Sequence, residues 1–356
     1  MRDVDAVILV GGMGTRLRPL TLSAPKPMLP TAGVPFLTHL LVRLRDADIT
    51  HVLLGTSFRA DVFEDHFGDG SSLGLELEYI VETEPLGTGG GIRNVASRLR
   101  GDDVLIFNGD NLIGVDLADL VGHHRDAGAD VTLTLHKVDD ARAYGCVPTD
   151  ASGRVTAFLE KDPNPVTDQI NAGLYVFKSE VVDSIPQGRP VSVERDTFPG
   201  LLAAGALVMG YLNTGYWRDF GTPADFVQGS CDIVRGLAPH GALPGSPGEA
   251  LVLDGASLAA DAVVTGGSTI GAAASVGPGS TVEGSVVFDG ASIRAGAVVR
   301  DSVIGFGAVI GDNAVVDNCV VGDNAVIGAR CELLAGARVW PGVQLADGAI
   351  RFSTDV

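Results

Sequence analysis

Between Val264 and Leu345 aliphatic residues recur with a period close to six: Val264, Ile270, Val276, Val282, Val287, Ile293, Val299, Ile304, Ile310, Val316, Val321, Ile327, Leu333, Val339 and Leu345. Eleven of the steps are six residues and three are five. The fives fall at 282→287, 299→304 and 316→321, so they return every seventeen residues. A deletion that recurs at one phase points to coils of three short strands with one turn systematically tightened. The intervening residues are small or polar, so the aliphatic stack is buried only when coils lie on one another. The pattern predicts a parallel β-helix; an alternating sandwich would not hold this phase for about eighty residues. Hexapeptide folds often carry acyl transfer, which wants a general base, usually histidine. The seven histidines stand at 39, 51, 66, 123, 124, 136 and 240, all before the repeats. A structural role is therefore expected, through lateral packing with another subunit or against the first domain. Val339-Trp340-Pro341 would bury an aromatic in such a contact or simply cap the coil.

The other end of the chain has a different logic. Val7-Ile8-Leu9-Val10 runs straight into Gly11-Gly12-Met13-Gly14-Thr15-Arg16, and Pro25-Lys26-Pro27 follows. A buried strand feeding a glycine-rich turn presents bare backbone N–H groups that can cradle an anion. Arg16 and Lys26 add the charge needed to hold a polyphosphate and to neutralise what develops as it is cleaved. The dinucleotide fingerprint would place a third glycine at 17, where Leu17 stands, and no Gly-Lys-Ser/Thr triplet completes a Walker A loop. A purely structural turn is the alternative to a nucleotide loop.

A chain of 356 residues is long for one core, so two domains are expected. We expect domains at 1–235 and 251–356, joined by a Gly/Pro-rich linker over 236–250. The formal charge of −19 speaks against extended nucleic-acid binding. Cys146, Cys231, Cys319 and Cys331 have no CxxC spacing, and no secretory leader or membrane-length apolar run is evident, which fits a reduced, cytoplasmic protein without a zinc site.

In the first domain, apolar runs at 6–10, 50–55, 77–81, 104–107 and 130–135 alternate with helical patterns near 35–47, 58–66, 89–98 and 115–126. Such alternation predicts a mostly parallel sheet with helices on both faces and ligands at the carboxyl ends of its strands. The glycine-rich turn and the acid of Asn108-Gly109-Asp110 fall on that edge. Further on, strands are expected around 155–160, 174–177 and 207–212, and helices near 179–185, 194–204 and 223–235.

The segments GGMGTRLRPLTLSAPKPMLP, EPLGTGGGI, FNGD, FLEK, INAG, SVERDTFP and WRDFGTP occur in this order. Together they resemble the sugar-nucleotide pyrophosphorylases, a nucleotidyltransferase family, along essentially the whole chain, and most of all its guanylyltransferase members. The fold implied is α/β: a Rossmann-like, mostly parallel mixed sheet of the nucleotide-diphospho-sugar transferase type, followed by a left-handed parallel β-helix of hexapeptide repeats. The reaction implied is attack of a sugar 1-phosphate oxygen on the α-phosphorus of a nucleoside triphosphate, with pyrophosphate leaving. Such transfers depend on positioning and charge neutralisation more than on proton transfer. GTP and mannose 1-phosphate, giving GDP-mannose, are the implied substrates. Glucose 1-phosphate with UTP or dTTP is the enzymatic alternative, and a non-catalytic GDP-mannose-binding regulatory subunit the alternative of another class. A homo-oligomer through the β-helix is also implied.

Residue by residue, the resemblance makes Leu9, Gly11, Gly12, Gly14, Thr15, Arg16, Lys26, Glu82, Pro85, Gly87, Thr88 and Asp110 nucleotide-binding. Arg16, Lys26, Asp110 and Asp219 are the implied catalytic set, with the carboxylates of Asp110 and Asp219 holding Mg²⁺, a hard cation suited to oxygen ligands. A turn or helix-cap role is the alternative for Asp110. Gly109, Gly145, Glu160, Lys161, Asn171, Gly173 and Glu194 are the implied sugar-phosphate residues. Glu160 would accept from sugar hydroxyls, Lys161 meet the phosphate, and Asn171 offer both donor and acceptor. Glu194 would order this pocket or touch the sugar, with capping by Ser192 the plainer reading. Guanine presents two parallel donors that match a carboxylate, which suits Glu82; the alternative is that Glu82 faces solvent. Met13 receives no chemistry.

Overall fold

The structure is a computed structural model that describes residues 1, 3–56 and 60–351. It parts into two compact units: residues 1–12 with 40–217, and residues 13–39 with 218–356.

In the first unit nine described strands form one sheet. They are β1 Val4–Leu9, β2 His51–Thr56, β3 Glu76–Val81, β4 Asp103–Asn108, β5 Val131–Lys137, β6 Gly145–Cys146, β7 Leu159–Glu160, β8 Gln169–Lys178 and β9 Val208–Leu212. Their order is β7-β6-β8-β4-β1-β2-β3, with β5 pairing β8 and β9 pairing β5. Strands β4, β1, β2 and β3 are parallel, so Leu9, Thr56, Val81 and Asn108 end on one edge. β8 runs antiparallel to β4 with Leu174 opposite Phe107, which brings Asn171 and Gly173 to the same edge. The helices are α1 Phe36–Asp46, shared with the second unit, α2 Ala60–Phe67, α3 Gly87–Asn94, α4 Leu117–Ala127, α5 Ser179–Ser184 and α6 Phe198–Ala203. The strands are apolar almost throughout because both faces are covered, and Val7, Leu53, Ile106, Leu133 and Tyr175 are fully or almost fully buried. Phe198 joins its core through Phe158 and Tyr175, at ring-centroid distances of 5.1 and 5.2 Å.

Several expected elements are shorter or different. The strand expected over 155–160 is only Leu159–Glu160, with Val155 making an isolated bridge to Thr149. The helix expected over 194–204 is a π-helical turn, Val193–Thr197, followed by α6. That expected over 89–98 stops at Asn94 and resumes as a single 3₁₀ turn, Ala96–Arg98. The start of the helix expected at 58 lies outside the described residues. These are stretches where side-chain bonds and glycine outweigh apolar periodicity.

In the second unit the repeats form a left-handed β-helix. Parallel strands stack into three sheets, and successive coils pair Ile270 with Val287, Val287 with Ile304 and Ile304 with Val321, each seventeen residues apart. All the aliphatic positions of the six-residue period lie in one apolar stack, with Val264 and Leu345 half-buried at its ends. At each tightened corner one residue turns the chain in the left-handed region: Gly284 at φ 53°, Asp301 at 44° and Asn318 at 52°. Glycine, aspartate and asparagine tolerate that conformation best. The next residue enters a ladder in which Ser268 Oγ accepts from Ser285 N–H (3.0 Å), Ser285 Oγ from Ser302 N–H (3.1 Å) and Ser302 Oγ from Cys319 N–H (3.0 Å). Each such bond contributes about 1 kcal/mol.

Helix α7, Pro223–Val234, belongs to this unit; Thr222 caps it by accepting from Asp225 N–H. The Gly/Pro-rich stretch after it contains no helix or strand up to Ala250 but folds back: Gly248 N–H donates to Val234 O, and Ala238 is buried. Trp340 is 47% exposed. The four cysteines are unpaired and buried, and no described helix is long and apolar enough to cross a membrane.

Candidate active site

In the first unit the carboxyl edge of the sheet carries most of the expected residues. Leu9 ends β1, and Gly11 and Gly12 follow as an exposed turn. Gly12 has φ 110°, and a Cβ there would meet nothing within 4 Å, so the backbone is bare and faces open space. Gly109 is packed close instead. Its N–H donates to Leu9 O at 3.0 Å, and an added Cβ would lie 2.6 Å from that oxygen. Gly109 thus locks the ends of β1 and β4 together and sets where half-buried Asp110 begins.

Glu82 follows β3 and does not face solvent. Its Oε2 accepts from Leu86 N–H at 3.2 Å, and its Oε1 lies 2.7 Å from where a Gly91 Cβ would sit. Burial pushes its carboxyl above the usual range, against the lowering effect of the Leu86 bond. Pro85 is exposed, whereas Gly87, at φ 71°, approaches Val191 O too closely to carry a Cβ. Thr88 is committed within the protein: its hydroxyl donates to Glu194 Oε2 at 2.9 Å and accepts from Val193 N–H at 2.9 Å. Ser192 Oγ also donates to Glu194, at 2.7 Å, while accepting from Arg195 N–H as a cap. Glu194 therefore ties Thr88 to the Val193–Thr197 turn, which Ser192 caps.

Glu160 and Gly145 are opposed across β7 and β6, and a Cβ on Gly145 would lie 2.9 Å from Glu160 Oε2. Burial raises the Glu160 carboxyl, and the Lys161 ammonium, 3.8 Å from it, opposes that shift. Lys161 sits at φ 52°, an uncommon conformation for a long side chain, with its side chain exposed. Asn171 donates to the Tyr175 hydroxyl at 2.8 Å and accepts from Gly173 N–H at 3.1 Å, inside a bulge of β8. Gly173, at φ 81°, lets Asn108 and Asn111 approach; an added Cβ would fall 2.1 Å from Asn111 Nδ2. Asn111 donates to Ala172 O at 3.1 Å, and Trp217 Nε1 donates to the same oxygen at 2.9 Å. The Oδ1 atoms of Asn108 and Asn111 are buried without a hydrogen-bond partner. Asn108 and Trp217 stand in the FNGD and WRDFGTP segments, and Asn111 just after the first, but sequence alone gave none of them a role.

The second unit carries the cationic group. Gly14, at φ 54°, opens a 3₁₀ turn, Thr15–Leu17. Thr21 Oγ1 donates to Gly14 O at 2.9 Å, and a Cβ on Gly14 would lie 2.9 Å from the Thr21 methyl. Lys26 follows Pro25 on a second 3₁₀ turn, Lys26–Met28, and its side chain is only 11% exposed. Its ammonium is 3.7 Å from Asp219 Oδ1, and Arg16 Nη2 is 3.9 Å from Asp219 Oδ2. Gly221 lies under the Arg16 guanidinium, where a Cβ would meet Nη2 at 2.6 Å. Arg16, Lys26 and Asp219 are thus brought together from positions far apart in the chain. Both separations exceed hydrogen-bond length, although Lys26 and Asp219 are largely covered. Hard carboxylate oxygens such as Asp219 and Asp110 present are the donors a divalent cation takes.

Among the described residues, one group of three has metal-ligand spacing: His51, Glu76 and Glu78. It lies at the amino ends of β2 and β3, away from the expected residues, and Arg100 already pairs with Glu76 (2.6 Å) and Glu78 (3.0 Å). His51 Nδ1 lies 2.7 Å from Asp5 Oδ1, and Nε2 is 3.1 Å from Glu78 Oε1. The Asp5 hydrogen bond raises the His51 pKa against burial. Burial pushes the Asp5 carboxyl up, but the bonds from His51 and from Gly101 and Arg100 N–H outweigh it and hold it low. The cluster is therefore a pH-dependent clamp. The His51 contribution is full below its unfolded pKa, about 6.5, and is lost as pH rises through the raised folded value. Urea unfolding at pH 6 and pH 9 should show wild type losing more stability than His51→Gln over that interval; parallel losses would remove His51 from this role. The Asp5 contribution has the opposite sign, failing only as pH falls through its depressed value.

Comparison with known proteins agrees with this arrangement. The family model for the nucleotidyl transferases matches residues 5–236, and that for the GMPPB C-terminal domain matches 247–348. The chain is 62% identical over 355 residues to a mannose-1-phosphate guanylyltransferase of Mycobacterium tuberculosis, covering 99% of each chain. It is 39% identical over 235 residues to the catalytic subunit beta of the Drosophila pseudoobscura mannose-1-phosphate guanylyltransferase, covering 65% of this chain and 63% of that one. Among solved structures it resembles HddC from Yersinia pseudotuberculosis complexed with GMP-PN, at a TM-score of 0.56 and 30% identity, covering 64% of this chain and 97% of HddC. From its glycine-rich turn and cationic group to its hexapeptide coils, the chain belongs to the nucleotidyl transferase family.

Proposed function

We propose that this enzyme is a mannose-1-phosphate guanylyltransferase, transferring GMP from GTP to α-D-mannose 1-phosphate with release of pyrophosphate. The observation that carries the reading is the group in which Asp219 meets Arg16 and Lys26, together with full-length likeness to a protein of that activity. A phosphate oxygen of mannose 1-phosphate attacks the α-phosphorus; the bond from that phosphorus to the bridging oxygen breaks, and pyrophosphate leaves with the electron pair. Gly11, Gly12, Gly14 and Thr15 would hold the triphosphate by backbone contacts, Arg16 the leaving pyrophosphate, and Lys26 the phosphates undergoing reaction. Glu82 would read guanine, with the ordered Pro85-to-Thr88 loop shaping the base pocket. Glu160, Asn171 and Gly173 would receive the sugar, and Lys161 its phosphate, with Gly109, Gly145 and Glu194 fixing the elements that carry them.

Nucleotidyl transferases typically use a divalent metal; here we propose Mg²⁺, with Asp110 and Asp219 as ligands. When bound, the ion supplies charge neutralisation on the phosphates. The proposal extends to a 1–235 catalytic domain, a 236–250 linker, a 251–356 β-helix domain, lateral packing of β-helices in a homo-oligomer, and a cytoplasmic location. HddC supports the guanine assignment, since its complex contains GMP-PN. The presence of Arg16, Lys26, Asp110, Lys161 and Asp219 speaks against a non-catalytic subunit.

The test is pyrophosphate release with Mg²⁺ over GTP, ATP, UTP and dTTP against mannose 1-phosphate and glucose 1-phosphate. GTP with mannose 1-phosphate should exceed every other pair by at least about tenfold, the discrimination that one buried, paired group can supply. A faster rate with another pair would overturn the substrate assignment, and no rate with any pair would favour a regulatory subunit.

A further inference from the structure

The β-helix reaches the signature loop through one side chain. Arg338 Nη1 donates to Arg16 O at 2.8 Å and to Arg18 O at 2.7 Å, within the second unit. Those carbonyls lie at the end of the Thr15–Leu17 turn, where a helical turn leaves acceptors unsatisfied. Arg338 is also the odd member of its column. In successive coils the same register position holds Thr269, Val286, Val303 and Val320, all buried, and then Arg338, which is exposed. Where the coils before it present a methyl surface, the last presents a guanidinium. A cavity of about 160 Å³ adjoins it, lined by Thr222, Pro223, Val320 and Arg338 among others, so packing does not force the side chain onto the loop.

We propose that Arg338 is a positioning residue for nucleotidyl transfer: it grips the Arg16 and Arg18 carbonyls and so sets the orientation from which Arg16 meets the phosphates. The physical need is clear from Arg16 itself. Its side chain is 66% exposed and lies 3.9 Å from Asp219 Oδ2, so its direction depends on how firmly its own backbone is held. A charged donor on a neutral carbonyl makes a stronger hydrogen bond than a neutral pair, and one guanidinium nitrogen joins two carbonyls that bracket Leu17. The β-helix thereby acquires a part in the reaction without contributing a group that touches substrate. The inference rests on the functional reading above for its kinetic side only.

The experiment compares wild type, Arg338→Ala, Arg338→Lys, Arg16→Ala and the Arg16→Ala/Arg338→Ala double variant, all full-length. Two independent readouts are used: steady-state kinetics with GTP and mannose 1-phosphate, and amide hydrogen exchange over residues 14–22. Arg338→Ala should lower kcat/KM for GTP by about tenfold, leave KM for mannose 1-phosphate within about twofold, and speed exchange in the segment. Arg338→Lys should recover part of both effects, since an ammonium keeps the charge and the donors. In the Arg16→Ala background, loss of Arg338 should cost less than about twofold, because coupled residues are not additive. Unchanged exchange in Arg338→Ala, or a full tenfold loss in the Arg16→Ala background, would overturn the proposal. A wild type without turnover would count against the functional reading, while the exchange result would still decide whether Arg338 holds the loop.

Discussion

Asp219→Asn should turn over about a thousandfold more slowly than wild type, a transition-state loss of about 4 kcal/mol. Its fold should be unaffected. Asparagine has nearly the same shape, and two ion pairs that it weakens are long: 3.7 Å to Lys26 Nζ and 3.9 Å to Arg16 Nη2, at a carboxylate whose side chain is 26% exposed. Ion pairs this long are loose, so thermal unfolding should move by a few degrees at most. The catalytic loss has a separate origin. Without its negative charge, position 219 no longer offers a hard ligand to a divalent ion, and the two cations lose the group that aligns them. More Mg²⁺ should be required for half-maximal rate. Kinetics with circular-dichroism melting decide the matter: a large drop in melting temperature with turnover within tenfold of wild type would make Asp219 a structural anchor.

Lys26→Ala should follow closely, with kcat reduced about a hundredfold to a thousandfold, the range seen when one preorganised charge-stabilising group is removed. Lys26 is 11% exposed and is held on a short turn between Pro25 and Pro27, so its ammonium is already oriented before substrate arrives. A point charge on a nearly buried stem is not replaced by a planar fork, and Lys26→Arg should recover little. Single-turnover measurements separate this from weaker binding. A change confined to KM, with kcat within a few fold, would reduce Lys26 to uniform binding of the triphosphate.

Both residues stand in short motifs that sequence alone exposes, yet what they do together depends on packing. The glycine-rich turn and the lysine between prolines are local features, and so is the edge to which the parallel strands bring Leu9 and Asn108. Asn108, Asn111 and Gly221 are different. Their importance comes from partners far along the chain: Gly221 lies under Arg16, and Asn111 reaches Ala172. Glu194 shows the same limit from the other side. Sequence resemblance assigns it to the sugar pocket, while its carboxylate is bound to the hydroxyls of Thr88 and Ser192.

The β-helix was legible to the residue, including the corners where its period drops from six to five. Each coil repeats the same local demand, an inward aliphatic side chain and a corner that Gly284, Asp301 or Asn318 can turn, so periodicity alone determined it. The strand-and-helix alternation of the first unit was determined almost as fully, because burial on both faces writes itself as apolar runs. Only the tertiary structure decided that Arg338 closes on the carbonyls of Arg16 and Arg18, that Glu82 turns inward against Gly91, and that Asp219 meets Lys26 and Arg16. Those are contacts between residues with no fixed spacing, set by loop paths and side-chain reach rather than by a repeating pattern.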